Sequence, residues 1–198
     1  MKPAPAQIPA DIVAAAVDVF VAEQRLDMRS LARRLGVARA TLYRRAGNRE
    51  LLLDELLWCR ARRLLAEQDR AAAAASGTAR LVAVISGVLR AIARDRPLRA
   101  FLESDPETAL RLLTGSRSTV HQGMAQALTQ LIEAERARGT FDPHLDTPTL
   151  AYAILRISEG FLYADVVAAR SADVDQAVTV IEALLRGLDR APAPAFRC

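Results

Sequence analysis

Between Arg29 and Arg49 the chain carries seven arginines and no acidic residue. The apolar residues among them, Leu31, Leu35, Val37 and Leu42, return every few residues, and Gly36 sits in the middle. That spacing commits the tract to helices rather than strands. Gly36 supplies the positive φ of a tight turn between two short ones. With a preceding helix that offers Ile12, Ala16, Val19 and Phe20 on one face, the tract reads as a helix-turn-helix. The second helix of the pair would then turn Arg39, Ala40, Thr41, Tyr43, Arg44 and Arg45 outward.

The rest of the chain excludes β architectures. No stretch shows sustained alternation rich in Val, Ile, Thr and aromatics, whereas Ala, Leu and Arg dominate, all good helix formers. Helices are expected over 9–24, 28–35, 39–45, 48–70, 78–94, 97–103, 106–114, 117–138, 147–169 and 173–189. Pro9 suits a first helical position, Asn48 and Asp146 suit N-caps, and Gly36, Gly139 and Gly187 suit left-handed caps. The expected fold is therefore all-α, with about nine to ten helices. A helix-turn-helix module over 1–50 precedes a helical bundle over 51–190, and "APAPAFRC" over 191–198 reads as a flexible tail. The helix after Asn48 carries Leu51, Leu52, Leu56, Leu57, Leu64 and Leu65, too much apolar surface for a three-helix module, so it is expected to bridge into the bundle.

Charge separates the two parts. The net charge is only +4, but residues 1–65 hold twelve basic against seven acidic side chains, leaving fifteen against sixteen for the remainder. A basic excess confined to the first third points to a polyanionic partner for that third. Arginine can bond bidentately to guanine, threonine can present a hydroxyl or a methyl, and tyrosine can reach a phosphate, so the outward set suits the major groove of duplex DNA. Arg29 and Arg49 each open a helix, where side chain and backbone N–H groups can converge on one phosphate.

The segment "GVARATLYRRAGNRELLLDELL" resembles the signature of the tetracycline-repressor (TetR) family of bacterial transcription regulators, over residues 9–60. The resemblance implies that Thr41, Tyr43, Arg45 and Arg49 fall on positions that touch DNA backbone or bases. It places Arg39, Ala40 and Arg44 on the sequence-reading positions. It departs from the family at Arg45-Ala46, where His-Phe is usual, which removes an aromatic packing residue, and at Ala38, a poor N-cap costing about 1 kcal/mol. The opening "IPADIVAAAVDVF" together with "RATLYRRAGNRELLLDELLW" resembles in addition the quorum-sensing-degradation regulator branch.

The bundle carries no catalytic motif and no metal-binding spacing, so neither an enzyme nor a cofactor is expected. The segments "TPTLAYAILRISEGFLYADVVAA" and "DVDQAVTVIEALLRGL" are apolar enough to bury more than one face. Two such helices from each of two subunits would make a four-helix homodimer interface, as the family resemblance also implies, and the dimer would meet a palindromic operator. Polar residues within the bundle leave two readings open. Arg156 and Glu159 pair with each other or lie at the rim of the dimer, or they line a small-molecule cavity with Trp58, Arg62, His121, Met124 and Tyr163.

The expected function is a homodimeric repressor released from its operator by a small, mostly apolar ligand. The alternatives are a redox-responsive regulator acting through Cys59 and a non-specific architectural DNA-binder. Two cysteines make no disulfide framework, no stretch is apolar enough to span a membrane and no signal pattern opens the chain, so a cytoplasmic protein is expected.

Overall fold

The computed structural model describes residues 8–164 and 173–190. Among the described residues the chain forms ten helices and no strand. They are α1 (Ala10–Glu23), α2 (Met28–Arg34), α3 (Arg39–Ala46), α4 (Arg49–Ala71) and α5 (Gly77–Ala93), then α6 (Arg96–Ser104), α7 (Pro106–Thr114), α8 (Thr119–Ala137), α9 (Thr147–Leu162) and α10 (Val174–Leu188). The all-α expectation holds. The end of the helix expected over 147–169, from residue 165 on, and the tail over 191–198 lie outside the described residues.

The helices start where side chains satisfy their first N–H groups. Asn48 accepts from Leu51 N at 2.8 Å, Asp95 from Leu98 N at 3.0 Å and Asp146 from Thr149 N at 2.9 Å. Gly36 and Gly139 adopt positive φ as expected. Two expectations need correction. Pro9 is the N-cap of α1, with ψ of 137°, and not its first helical residue. Gly187 lies inside α10, which runs on through Leu188 until Asp189 turns extended and closes the helix with its N–H on the Leu185 carbonyl.

The chain divides into two compact units, each considered over its described residues: Met1–Arg62 with Asp95–Gln122, and Arg63–Arg94 with Gly123–Cys198. In the first, α1 packs on α2 and α6, α2 on α3, and α6 on α7. Ile12, Ala16, Phe20, Leu31, Leu42, Leu52, Leu53, Leu56 and Phe101 are essentially inaccessible and form its core. Phe20 and Phe101 meet edge to face at 6.0 Å, and the Arg60 guanidinium lies 5.5 Å over the Phe20 ring while bonding Asp95 at 2.5 Å. The helix-turn-helix thus shares a core with 95–122.

One buried carboxylate joins two helices of this unit. Asp54, on α4, accepts from Ser118 Oγ at 2.9 Å, Thr119 N at 2.8 Å and Val120 N at 3.3 Å. A residue 64 positions upstream therefore caps α8. The Ser118 hydroxyl also meets the Leu112 carbonyl and accepts from His121 N at 3.3 Å.

In the second unit α5, α9 and α10 pack on one another around Leu81, Leu150, Ile154, Ile181 and Leu185. Its polar counterpart is Glu135, fully buried. The Glu135 carboxylate accepts from Gly77 N and Thr140 Oγ1, both at 2.7 Å, and lies 3.1 Å from Arg80 Nε. Arg80, itself buried, also donates to Asp69 at 2.5 Å and to the Ala72 carbonyl at 3.2 Å. A buried charge needs such compensation, since one stripped of its partner is strongly destabilising.

Candidate nucleic-acid interface

The α2–α3 pair is small, and a few residues fix it. Asp27 caps α2. Its carboxylate accepts from Arg29 N at 2.9 Å and from Ser30 Oγ at 3.2 Å. The Arg29 N–H above all holds this carboxyl below the ordinary aspartate value of 3.8, against a smaller upward push from partial burial. Leu35 N closes α2 on the Leu31 carbonyl, and Gly36, at φ 65°, turns the chain towards α3. Ala38 offers no side-chain cap to α3, as its methyl dictates. What holds α3 is burial. Leu42 is inaccessible and Ala46 is 1% exposed, so the small side chain at the position of the usual aromatic is fully packed.

The opposite side of α3 is open. Arg39, Ala40, Tyr43, Arg44 and Arg45 are exposed and Thr41 is half-buried. Their cations differ in what they already hold. Arg45 pairs with Asp11 at 3.4 Å, and Arg34 of α2 with Asp18 at 2.6 Å. Among the described residues Arg39 and Arg44 pair with no carboxylate. Arg29 is exposed, but its backbone N–H is taken by Asp27. Arg49, the first residue of α4, donates from Nε to the Leu26 carbonyl at 3.1 Å and from NH1 to Asp105 at 3.3 Å.

Sequence reasoning missed Asp27 and Asp105. The first was readable, since an aspartate directly before an apolar-periodic run is an N-cap signal. The Asp105 pairing was not, because 56 positions separate it from Arg49.

The residues suggested to line a ligand cavity fall in different places. Trp58, half-buried, and Arg62, exposed, lie on α4 and His121, buried, in the first turn of α8, all in the first unit. Met124, half-buried, is on α8, and Arg156, Glu159 and Tyr163 are on or just past α9, in the second. Arg156 donates to Glu159 at 2.5 Å, so these two do pair with each other. Tyr163 is buried, and that burial, reinforced by the Glu159 carboxylate, pushes its hydroxyl far above the usual tyrosine range. Cys59 is a half-buried free thiol. Among the described residues no three His, Cys, Asp or Glu side chains gather as metal ligands, and no helix is long and apolar enough to cross a membrane.

A short helix with an open basic face, seated by a preceding helix and a glycine turn and followed by a helical bundle, defines the class of helix-turn-helix transcriptional regulators. Residues 12–56 match the model of the bacterial regulatory proteins of the tetR family, and residues 76–186 match the tetracyclin repressor-like C-terminal domain. The chain belongs to the tetR family. It is a DNA-binding transcription regulator and not an enzyme, a conclusion that rests on this membership.

Among solved structures the chain is similar to the transcriptional repressor QsdR of R. erythropolis. The identity is 28% and the TM-score 0.80, over 93% of this chain and 100% of that one. This is the branch that the opening segment suggested. The repressor AlkX of Dietzia sp., implicated in biodegradation of n-alkanes, shares the fold at 22% identity, with a TM-score of 0.59 over 92% of this chain and 100% of that one. So does the regulator FadR of Bacillus subtilis, solved with stearoyl-CoA, at 19% identity and 0.56 over 92% and 98%. No curated protein gives a significant match.

Proposed function

We propose that the chain is a homodimeric, cytoplasmic repressor that occupies a palindromic operator and leaves it when a small, mostly apolar ligand binds the C-terminal helical domain. The observation that carries the DNA-binding part is the open face of α3. Arg39, Ala40 and Arg44 read bases, and Thr41, Tyr43, Arg45 and Arg29 meet the backbone. Arg39 and Arg44 are the exposed cations there without a carboxylate partner among the described residues.

The dimer reading is supported by the outer sides of α9 and α10. Tyr152 is 55% and Val180 40% exposed, and Ile157 of α9 and Leu184 of α10 are half-buried. An apolar surface of this kind on two neighbouring helices is suited to a two-fold partner. Two recognition helices would then meet half-sites about one DNA turn apart. The ligand acts only through its preference for the conformation that does not fit the operator, so operator DNA must weaken ligand binding by the same factor.

The test is to incubate the protein with sheared DNA from its own genome at near-physiological salt and sequence what is retained. Repeated recovery of a short palindrome, bound by two copies of the chain in sedimentation, supports the reading. Uniform retention of all duplexes with a steep salt slope would replace it with non-specific, architectural binding.

A further inference from the structure

The first turn of α4 is held from two sides. The Arg49 guanidinium bridges the carbonyl of Leu26, in the connection between α1 and α2, and the carboxylate of Asp105, which opens α7. Leu26 is itself buried, so its carbonyl is a fixed acceptor. Next along the chain, Glu50 pairs with Arg111 of α7 at 2.9 Å. Both ties lie inside the first unit. Arginine's planar fork suits this arrangement, because one rigid group can serve two acceptors in fixed directions. The Arg49 side chain is 37% exposed and that of Asp105 34%, so the pair is shielded from full screening. Partial burial pushes the Asp105 carboxyl up, and the bonds from Thr108 and Arg49 more than offset that and keep it low.

Two of the five guanidinium N–H donors are committed to this bridge, and the charge of Arg49 is already answered by Asp105. We infer that Arg49 is a positioning residue for DNA binding. With its charge answered by Asp105, it fixes the corner that leads into α2 against α4 and α7, rather than neutralising a DNA phosphate. This rests on the DNA-binding reading of α2 and α3 and replaces the phosphate role that the resemblance implied for Arg49.

Salt titrations of DNA affinity separate the two roles, because each phosphate neutralised contributes about 0.9 to the slope of log K against log salt. The probes are a labelled mixed-sequence duplex and the strongest duplex from the genomic selection. The mixed-sequence duplex keeps the test independent of whether an operator is found. The variants are Arg49→Ala, Arg49→Lys, Asp105→Asn and the Arg49→Ala/Asp105→Asn pair. Expected are unchanged slopes throughout, and affinity lower by roughly tenfold for Arg49→Ala and for Asp105→Asn. The double variant should be no weaker than either single one. Arg49→Lys should be no rescue, since a point charge cannot bridge the two acceptors. A slope reduced by about one unit in Arg49→Ala, wild-type affinity in Arg49→Lys, or tighter binding in Asp105→Asn would overturn the inference. Asparagine at 105 retains the shape, so its effect reports the lost pairing rather than a lost fold.

Discussion

Replacing Asp54 by alanine should be among the most damaging single changes near the DNA-binding unit, although Asp54 has no part in DNA recognition. The carboxylate is buried and receives three donors from the start of α8: Ser118 Oγ, Thr119 N and Val120 N. A bond to a charged acceptor contributes about 1.5–3 kcal/mol net, and loss of an N-cap alone about 1. Thr119 is exposed and its N–H can turn to water, whereas Val120 is buried and Ser118 is enclosed. Alanine also avoids the cost of burying a charge. The balance is a loss of about 2–3 kcal/mol. In a chain of 198 residues that corresponds to a fall in Tm of roughly 5–10 °C. Asparagine keeps one acceptor oxygen but points an NH2 at donors, and should lose about half as much or more. Differential scanning calorimetry at fixed protein concentration reads both shifts. An Asp54→Ala variant that melts within about 2 °C of wild type would refute the reasoning, because it would mean that water satisfies these N–H groups as well as Asp54 does.

Asp27→Ala should cost about 1 kcal/mol through the uncapped start of α2. Because the folded carboxyl titrates below 3.8, its stabilisation is complete above that value and is lost as pH falls through the lower folded value, so wild type and Asp27→Asn should converge in acid melts. Glu135→Ala should cost about 2–3 kcal/mol by leaving the Gly77 N–H and the Thr140 hydroxyl without their buried acceptor, while Arg80 keeps Asp69, measured by urea unfolding. Arg44→Ala should relax discrimination at one operator position by about 1–3 kcal/mol, while leaving affinity for mixed-sequence DNA nearly unchanged, measured by competition against single-base operator variants.

What the sequence made legible is what depends on neighbours along the chain. The N-caps at Asn48 and Asp146, the turn at Gly36 and the core stripe of Leu31 and Leu42 are each set within a few residues, by side-chain reach or by helical period. The outward set on α3 followed from the same period. Gly187 shows the limit of such signals. A glycine near a helix end reads as a stop, but burial of Leu185 and the cap at Asp189 decide where α10 ends. Ties between remote residues left no trace in the sequence. The carboxylates that meet Arg49, Ser118 and Arg80 are distinguished from other surface acids only by tertiary packing. Arg156 and Glu159 fall between these cases. Their spacing of three allowed the pair that forms, but it did not exclude a role in a cavity.

The same distinction governs how the basic tract should be counted. Seven arginines in a row of helices look like seven cations for DNA, yet three of them face carboxylates: Arg34 with Asp18, Arg45 with Asp11 and Arg49 with Asp105. These three pairs are not equivalent. The first two are isolated pairs with about half of each side chain in water. Such pairs contribute little, so a phosphate can displace either carboxylate at small cost. Arg49 has a second acceptor in the carbonyl of buried Leu26, and its carboxylate partner belongs to the N-cap residue of another helix, α7. Exchanging that geometry for one phosphate would break two bonds and loosen the corner that places α2. Arg34 and Arg45 therefore remain available to DNA, and Arg49 serves it by holding the helix-turn-helix in place.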